Sequence, residues 1–176
     1  EISTIDAKNS TYYDTFGVFY NATAAINGYI MDTFVPINNQ GICPNGWHLP
    51  TKAEFDTLFN YLKINGYACS GLPTDNHILL SLVASQPTTL GGLWTYAAYY
   101  ETPGNEKYQN IRNNSGFTAI PAGNKSPSNF SEIGNKACFW TNSLPKKYYV
   151  FSYGADTPVL SSASNNYSYN VRCVKN

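Results

Sequence analysis

Few side chains in this sequence carry the chemistry of a nucleophile or a metal ligand. They are four cysteines, at 43, 69, 138 and 173, and two histidines, His48 and His77. None of the cysteines belongs to a C-x-x-C pair, which argues against a zinc ribbon or a thioredoxin-type site. The spacing from Cys43 to His48 matches no common zinc pattern. A hard cation needs several oxygens, usually with carboxylates among them, yet Glu101, Glu106, Glu132 and Asp156 are scattered singly. An enzyme would need an activated nucleophile or an acid–base pair, and no such constellation is present. The expectation is a non-catalytic chain without cofactor or metal. An even cysteine count favours disulfides and an oxidising compartment, against the alternative of four buried thiols.

A different chemistry, recognition, is written between residues 138 and 170. Tyrosines alternate there with asparagine and serine, a mixture that makes adaptable binding surfaces: tyrosine supplies contact area at low entropic cost, and the short polar side chains supply hydrogen bonds. Aromatic faces also stack on sugar rings. The candidate ligand-binding residues are Trp140, Asn142, Tyr148, Tyr149, Tyr153, Asn165, Asn166, Tyr167 and Tyr169. The competing reading is a solvated loop whose tyrosines pack inside strands. Strand alternation places Tyr148 and Tyr149 on opposite sides, so at most one of them is an exposed anchor.

These residues must be positioned by a single core. The chain has 176 residues, enough for one domain. We divide it into a polar lead-in at 1–11 and one domain at 12–176. Apolar residues make up 43% and charged residues only 12%, so Asn, Ser, Thr and Tyr must supply the polar surface. With zero formal net charge there is no electrostatic footprint for a nucleic acid or an anionic membrane. No apolar run reaches the ~20 residues of a transmembrane helix. The start at Glu1, with Met31 the only methionine, suggests a trimmed or recombinant mature form, and a removed signal peptide is the expectation.

Phe16–Tyr20 reads as a short strand, and Asn21 as the cap of a helix through Ala22–Ile26. A loop with Pro36 and Asn38-Asn39 follows. The strongest local signal is Thr51-Lys52-Ala53-Glu54, a capping box. Phe55, Leu58, Phe59 and Leu62 then mark one helical face, and Asn65-Gly66 a stop, which predicts a helix over 52–63. A second helix is expected over His77–Ala84, started by Thr74 or Asp75. Short strands are expected at Leu93–Tyr96, Gly116–Ile120, Cys138–Thr141, Tyr148–Tyr153 and Tyr169–Val174. Two helices followed by short, mostly antiparallel strands and long loops define an α+β fold.

The stretch G-I-C-P-N-G-W-H-L-P-T-K-A-E-F at 41–55 resembles the signature of the Fibrobacter succinogenes major paralogous domain, a family of secreted bacterial surface proteins. Further stretches agree in order: Tyr20-Asn21 with Ala24-Ala25, Asn114 to Gly123, Phe139-Trp140-Thr141-Asn142, and Asn170-Val171-Arg172-Cys173-Val174. That family is in turn similar to the C-type-lectin-like fold. The resemblance implies a disulfide between Cys43 and Cys173, leaving Cys69 and Cys138 as a second pair. It makes the 41–55 motif a framework: Trp47 and Leu49 enter the core, Thr51 and Glu54 cap the helix, and His48 alternates outward.

Sugar-binding C-type lectins carry E-P-N or Q-P-D followed by W-N-D. None of these occurs here, and Thr141-Asn142-Ser143 supplies no carboxylate, so calcium-dependent sugar binding is not expected. The formylglycine-generating enzymes share a related core, but they use cysteines near the chain end, where only Cys173 lies. The resemblance therefore implies a secreted or cell-surface bacterial domain for binding or adhesion, with a glycan or protein ligand and no nucleic-acid partner. The alternatives are a structural part of a pilus or envelope assembly and, further off, an enzyme of the formylglycine-generating kind.

Overall fold

The computed structural model of the protein describes residues 12–28, 39–73, 75–84, 87–99, 101–143, 145–164 and 166–176. The lead-in at 1–11, the loop around Pro36 and Asn38, the proposed helix start at Thr74 and the candidate Asn165 lie outside the described residues. The chain opens with a single-turn helix α1 (Tyr13–Phe16), strand β1 (Tyr20–Asn21) and a second single turn α2 (Ala22–Ala25). Strand β2 (Trp47–His48), helix α3 (Lys52–Ile64) and the short α4 (Leu79–Leu82) follow. Seven strands complete it: β3 (Asn124–Lys125), β4 (Phe130–Ser131), β5 (Lys136–Trp140), β6 (Lys147–Ser152), β7 (Val159–Ser162), β8 (Ser168–Tyr169) and β9 (Val174–Lys175). Helices come early and strands late, in an α+β arrangement whose strand pairs are antiparallel.

Helix α3 forms where local chemistry demands it. The Glu54 amide donates to Thr51 Oγ1 at 3.2 Å, and the Thr51 amide donates to Glu54 Oε2 at 2.8 Å. Two first-turn donors are thus satisfied reciprocally. At the other end the Asn65 side chain donates to the Tyr61 carbonyl at 2.8 Å, and Gly66 takes φ +79°, which only glycine adopts without penalty. Asn21 caps α2 as expected, accepting from the Ala24 amide at 2.8 Å.

The second helix is shorter than its predicted span. Asp75 accepts from the amides of Ser70 at 2.8 Å and His77 at 2.9 Å. This local turn competes with helix initiation, and α4 starts after Ile78 with no side-chain cap. Several predicted strands also shrink. Gly17, at φ +73°, breaks Phe16–Tyr20, and Thr118, at φ +64°, interrupts 116–120, leaving one bridge from Ala119 to Val83. Among the described residues Trp94 makes only a bridge to Pro87. The predicted last strand divides into β8 and β9, because Asn170 turns inward between them to bridge Phe139.

The centre of the molecule is the β5–β6–β7 meander. Its β5 reads Lys-Ala-Cys-Phe-Trp, a nearly continuous apolar run of the kind that is buried on both faces, and residues 137 to 140 are all buried. Ala137, Phe139, Tyr149 and Phe151 face one core with Phe55, Leu62 and α4. Cys138, Trp140 and Val150 face the other with Ala22, Ala25, Ile26, Leu49 and Tyr169.

That alternation corrects the cysteine pairing. Cys43 and Cys173 are bonded, closing a separation of 130 residues. Cys69 and Cys138 are both free. Cys138 points into the second core, while Cys69 packs at the margin of the first, so the sheet stands between the two thiols. A second correction concerns the opening motif. Strand β2 pairs with β9, Trp47 opposite Lys175 and His48 opposite Val174. In this pairing Trp47 is 39% exposed, while His48 is 5% and Leu49 0% exposed. His48 turns inward and Trp47 outward, the reverse of the expectation, because partnership with β9 sets the facing of so short a strand.

Candidate functional site

The two adjacent tyrosines of β6 have opposite surroundings. Tyr149 lies against Phe55 and Phe59, with ring centroids 4.9 and 5.0 Å away, and its hydroxyl donates to Asp56 Oδ1 at 2.6 Å. Burial, followed by this bond to a carboxylate, pushes its pKa up. It is a core residue. Tyr148 is half-buried on the other face and stacks on Tyr169 at 3.9 Å with an interplanar angle of 14°.

That stack continues. Tyr167 lies two residues before Tyr169 on the same side, its ring nearly parallel at 6.4 Å and 10°. Trp140 closes the column from beneath, edge-on to Tyr169 at 4.9 Å. Its indole N–H donates to the Tyr20 carbonyl at 2.7 Å, which fixes the ring. Trp140 and Tyr169 are buried, whereas Tyr167 is 37% exposed. The outcome is an aromatic column rooted in the core and open at Tyr167 and Tyr148.

The remaining candidates are dispersed. Asn142 is buried, and its amide donates to the Pro50 carbonyl at 2.7 Å. Tyr153 is exposed beyond the opposite end of β6, where its amide bonds to the Asn135 carbonyl. Asn166 and Ser168 line a separate polar hollow with Asn21 and Lys125. Of the sequence-predicted set, the structure therefore brings together Trp140, Tyr148, Tyr167 and Tyr169. It assigns Asn142 and Tyr149 to the interior, and it leaves Tyr153 and Asn166 apart from the column.

A second feature was not foreseen in the sequence. A groove of about 470 Å³ runs between α3 and β9, walled by Phe55, Leu58, Tyr61, Phe117, Arg172 and Val174. The Arg172 guanidinium lies over the Phe117 ring at 4.8 Å. Phe117 and Arg172 sit in stretches that the sequence marked only as strands and as carriers of the family resemblance, and nothing local signals that tertiary folding brings them against the outer face of α3.

Neither free thiol is set up as a nucleophile. Burial, with the charges of Glu101, Asp75 and Asp156, pushes Cys69 up to about 12; burial foremost does the same for Cys138. His77 is surrounded by carboxylates, its Nδ1 3.2 Å from Asp75 and its Nε2 3.3 Å from Asp156. Among the described residues no group of three or more His, Cys, Asp or Glu side chains is placed to hold a metal ion, and no helix is long and apolar enough to cross a membrane.

Fold and site together define a disulfide-tied α+β domain with an aromatic column at its surface. The chain belongs to the Fibrobacter succinogenes major domain family, whose model matches residues 1–175. No curated protein and no solved structure matches it.

Proposed function

We propose that this is a secreted or cell-surface bacterial domain of C-type-lectin-like fold, and that it binds a glycan without catalysing a reaction. The observation that carries this reading is the column Tyr167–Tyr169–Tyr148, buried at its root and open at its tip. A rigid aromatic face anchored in this way presents apolar area with little entropy left to lose. Ser161 on β7 borders it, directly opposite Tyr148, and can hydrogen-bond sugar hydroxyls. Support for a non-catalytic role comes from the two thiols being held protonated.

The test is a glycan-array screen with and without calcium, followed by Tyr167→Ala. The expected result is binding that survives chelation and weakens by more than about 1 kcal/mol in the variant, with an unchanged melting temperature. Normal binding by Tyr167→Ala, or its loss on chelation, sinks the idea. A protein ligand on the same column is the neighbouring reading. A structural role in a surface assembly has its own support. Among the described residues strand β7 pairs only with β6, and Val159 on it is 52% exposed, an edge of the kind that takes strand addition by another chain.

A further inference from the structure

The groove between α3 and β9 lies apart from the aromatic column and has a chemistry of its own. Its walls are almost entirely apolar: Phe55, Leu58 and Tyr61 from the helix, Phe117 from below, and Val174 from the last strand. Tyr61 is 54% exposed, so its ring forms a free upper wall. A concavity of about 470 Å³ is of the size that takes a small molecule and is too narrow for a folded partner.

Two charged side chains line it, and they differ in one respect. Glu54 is fully engaged: Oε1 accepts from His48 Nε2 at 2.6 Å, and Oε2 from the Thr51 amide at 2.8 Å and hydroxyl at 2.9 Å. Arg172 has only the ring of Phe117 beneath it, and among the described residues no carboxylate or carbonyl takes its N–H groups. Arg172 is exposed at the border of the groove, and partial desolvation of its guanidinium lowers its pKa. A planar guanidinium stacked on an aromatic ring still offers its edge as a fork that matches a carboxylate.

We propose that this groove binds a small amphipathic monocarboxylate, its apolar body along Leu58, Phe55 and Tyr61 and its carboxylate on Arg172. An apolar slot selects the body by area, and one unpaired cation at its border selects an anionic head over a neutral or cationic one.

Octanoate is a suitable probe, with 1-octanol and octylammonium as neutral and cationic counterparts of the same length. Titration of the isotope-labelled domain, followed by amide chemical shifts, should show saturable octanoate binding centred on Leu58, Phe117 and Val174. Octanoate should bind at least about ten-fold more tightly than 1-octanol, as expected for one charge-assisted hydrogen-bonded pair. Arg172→Gln should abolish that difference, and Arg172→Lys should retain part of it. Equal affinity for octanoate and 1-octanol overturns the proposal, as does a preference that persists in Arg172→Gln, or shifts centred on Tyr148 and Tyr167. The comparison of ligands on the wild-type domain decides the matter even where Arg172→Gln fails to fold. Tyr167→Ala should leave octanoate binding intact, which separates this site from the glycan reading.

Discussion

The two faces of the β5–β6 pair are built from the same two strands and end differently. One face is closed by α3, thirteen residues long, whose Phe55 and Phe59 seat Tyr149 and whose Asp56 accepts the hydrogen bond from its hydroxyl. The other is covered by the single-turn α2, by Leu49 and by the two-residue β8. So small a cover cannot seal an aromatic column, which runs out to solvent at Tyr167. Neighbouring tyrosines thus acquire opposite roles, one in stability and one at the surface. What separates them is the size of the element packed over each face.

The largest expected effect removes the constraint that encloses both faces. The Cys43–Cys173 bridge spans 130 residues, and closing a loop of that order contributes roughly 5 kcal/mol through the entropy of the unfolded chain, an upper-end figure. Cys43→Ser should lower stability by an amount approaching this in chemical denaturation, and reduction of the wild type should do the same. Non-reducing peptide mapping should find this bridge and no link between Cys69 and Cys138. A Cys69–Cys138 peptide would mean that the sheet does not divide the cores as described.

Next comes the closed face. Phe55 is 3% exposed and touches both Phe59 and Tyr149. Phe55→Ala should cost about 3–5 kcal/mol. Leu58 is on the same helix but only half-buried, because it lines the groove, and Leu58→Ala should cost less than about 2 kcal/mol, below the usual range for a sealed leucine. Equal losses would mean that the groove is closed in solution.

The sequence reveals what is decided within a few residues. The bounds of α3 and both halves of its capping box are readable because Thr51, Glu54 and the 3.6-residue apolar period lie within one segment. The α+β order and the buried run of β5 are readable for the same reason. The facing of Trp47 and His48 is not, since two residues of strand carry no period and β9 decides it. The Cys43–Cys173 link follows from the family resemblance, while the remaining pair fails because facing across a sheet is invisible until both neighbours are placed. The aromatic column was half legible: alternation separates Tyr148 from Tyr149, but the stacking of Tyr148 on Tyr169 is tertiary. The groove, assembled from positions near 55, 117 and 172, left no local trace.

A milder pair of substitutions sharpens the contrast between the faces. Tyr149→Phe deletes the donor to Asp56 and should cost about 1 kcal/mol, since the carboxylate retains Lys52 as its other partner. Tyr148→Phe deletes a hydroxyl from the half-buried ring and should change stability less. Thermal or denaturant unfolding of the two variants side by side checks the order, and a larger loss for Tyr148→Phe would reverse the assignment of open and closed faces.

The smallest expected effect is a pH dependence at the joint between α3 and β9. His48 lies between Asn176 Oδ1 and Glu54 Oε1, each 2.6 Å from a ring nitrogen. Burial by itself lowers the imidazole's pKa, but the hydrogen bonds to Asn176 and Glu54 and the charge of Glu54 outweigh it, and the net direction is up. For Glu54 burial raises the pKa, while the bonds from Thr51 and His48 prevail and lower it. The histidine's contribution is therefore fully present below its ordinary value near 6.5 and is lost as pH rises through the raised folded value. The glutamate's contribution is present above its ordinary value near 4.5 and is lost as pH falls through the lowered one. Both act fully between those two ordinary values. The thermal midpoint should form a plateau in this window and decline above it. His48→Gln should remove the alkaline decline, whereas His77→Gln, at the other histidine, should leave it in place. A decline that survives His48→Gln, or vanishes with His77→Gln, would place the pH-sensitive joint elsewhere in the molecule.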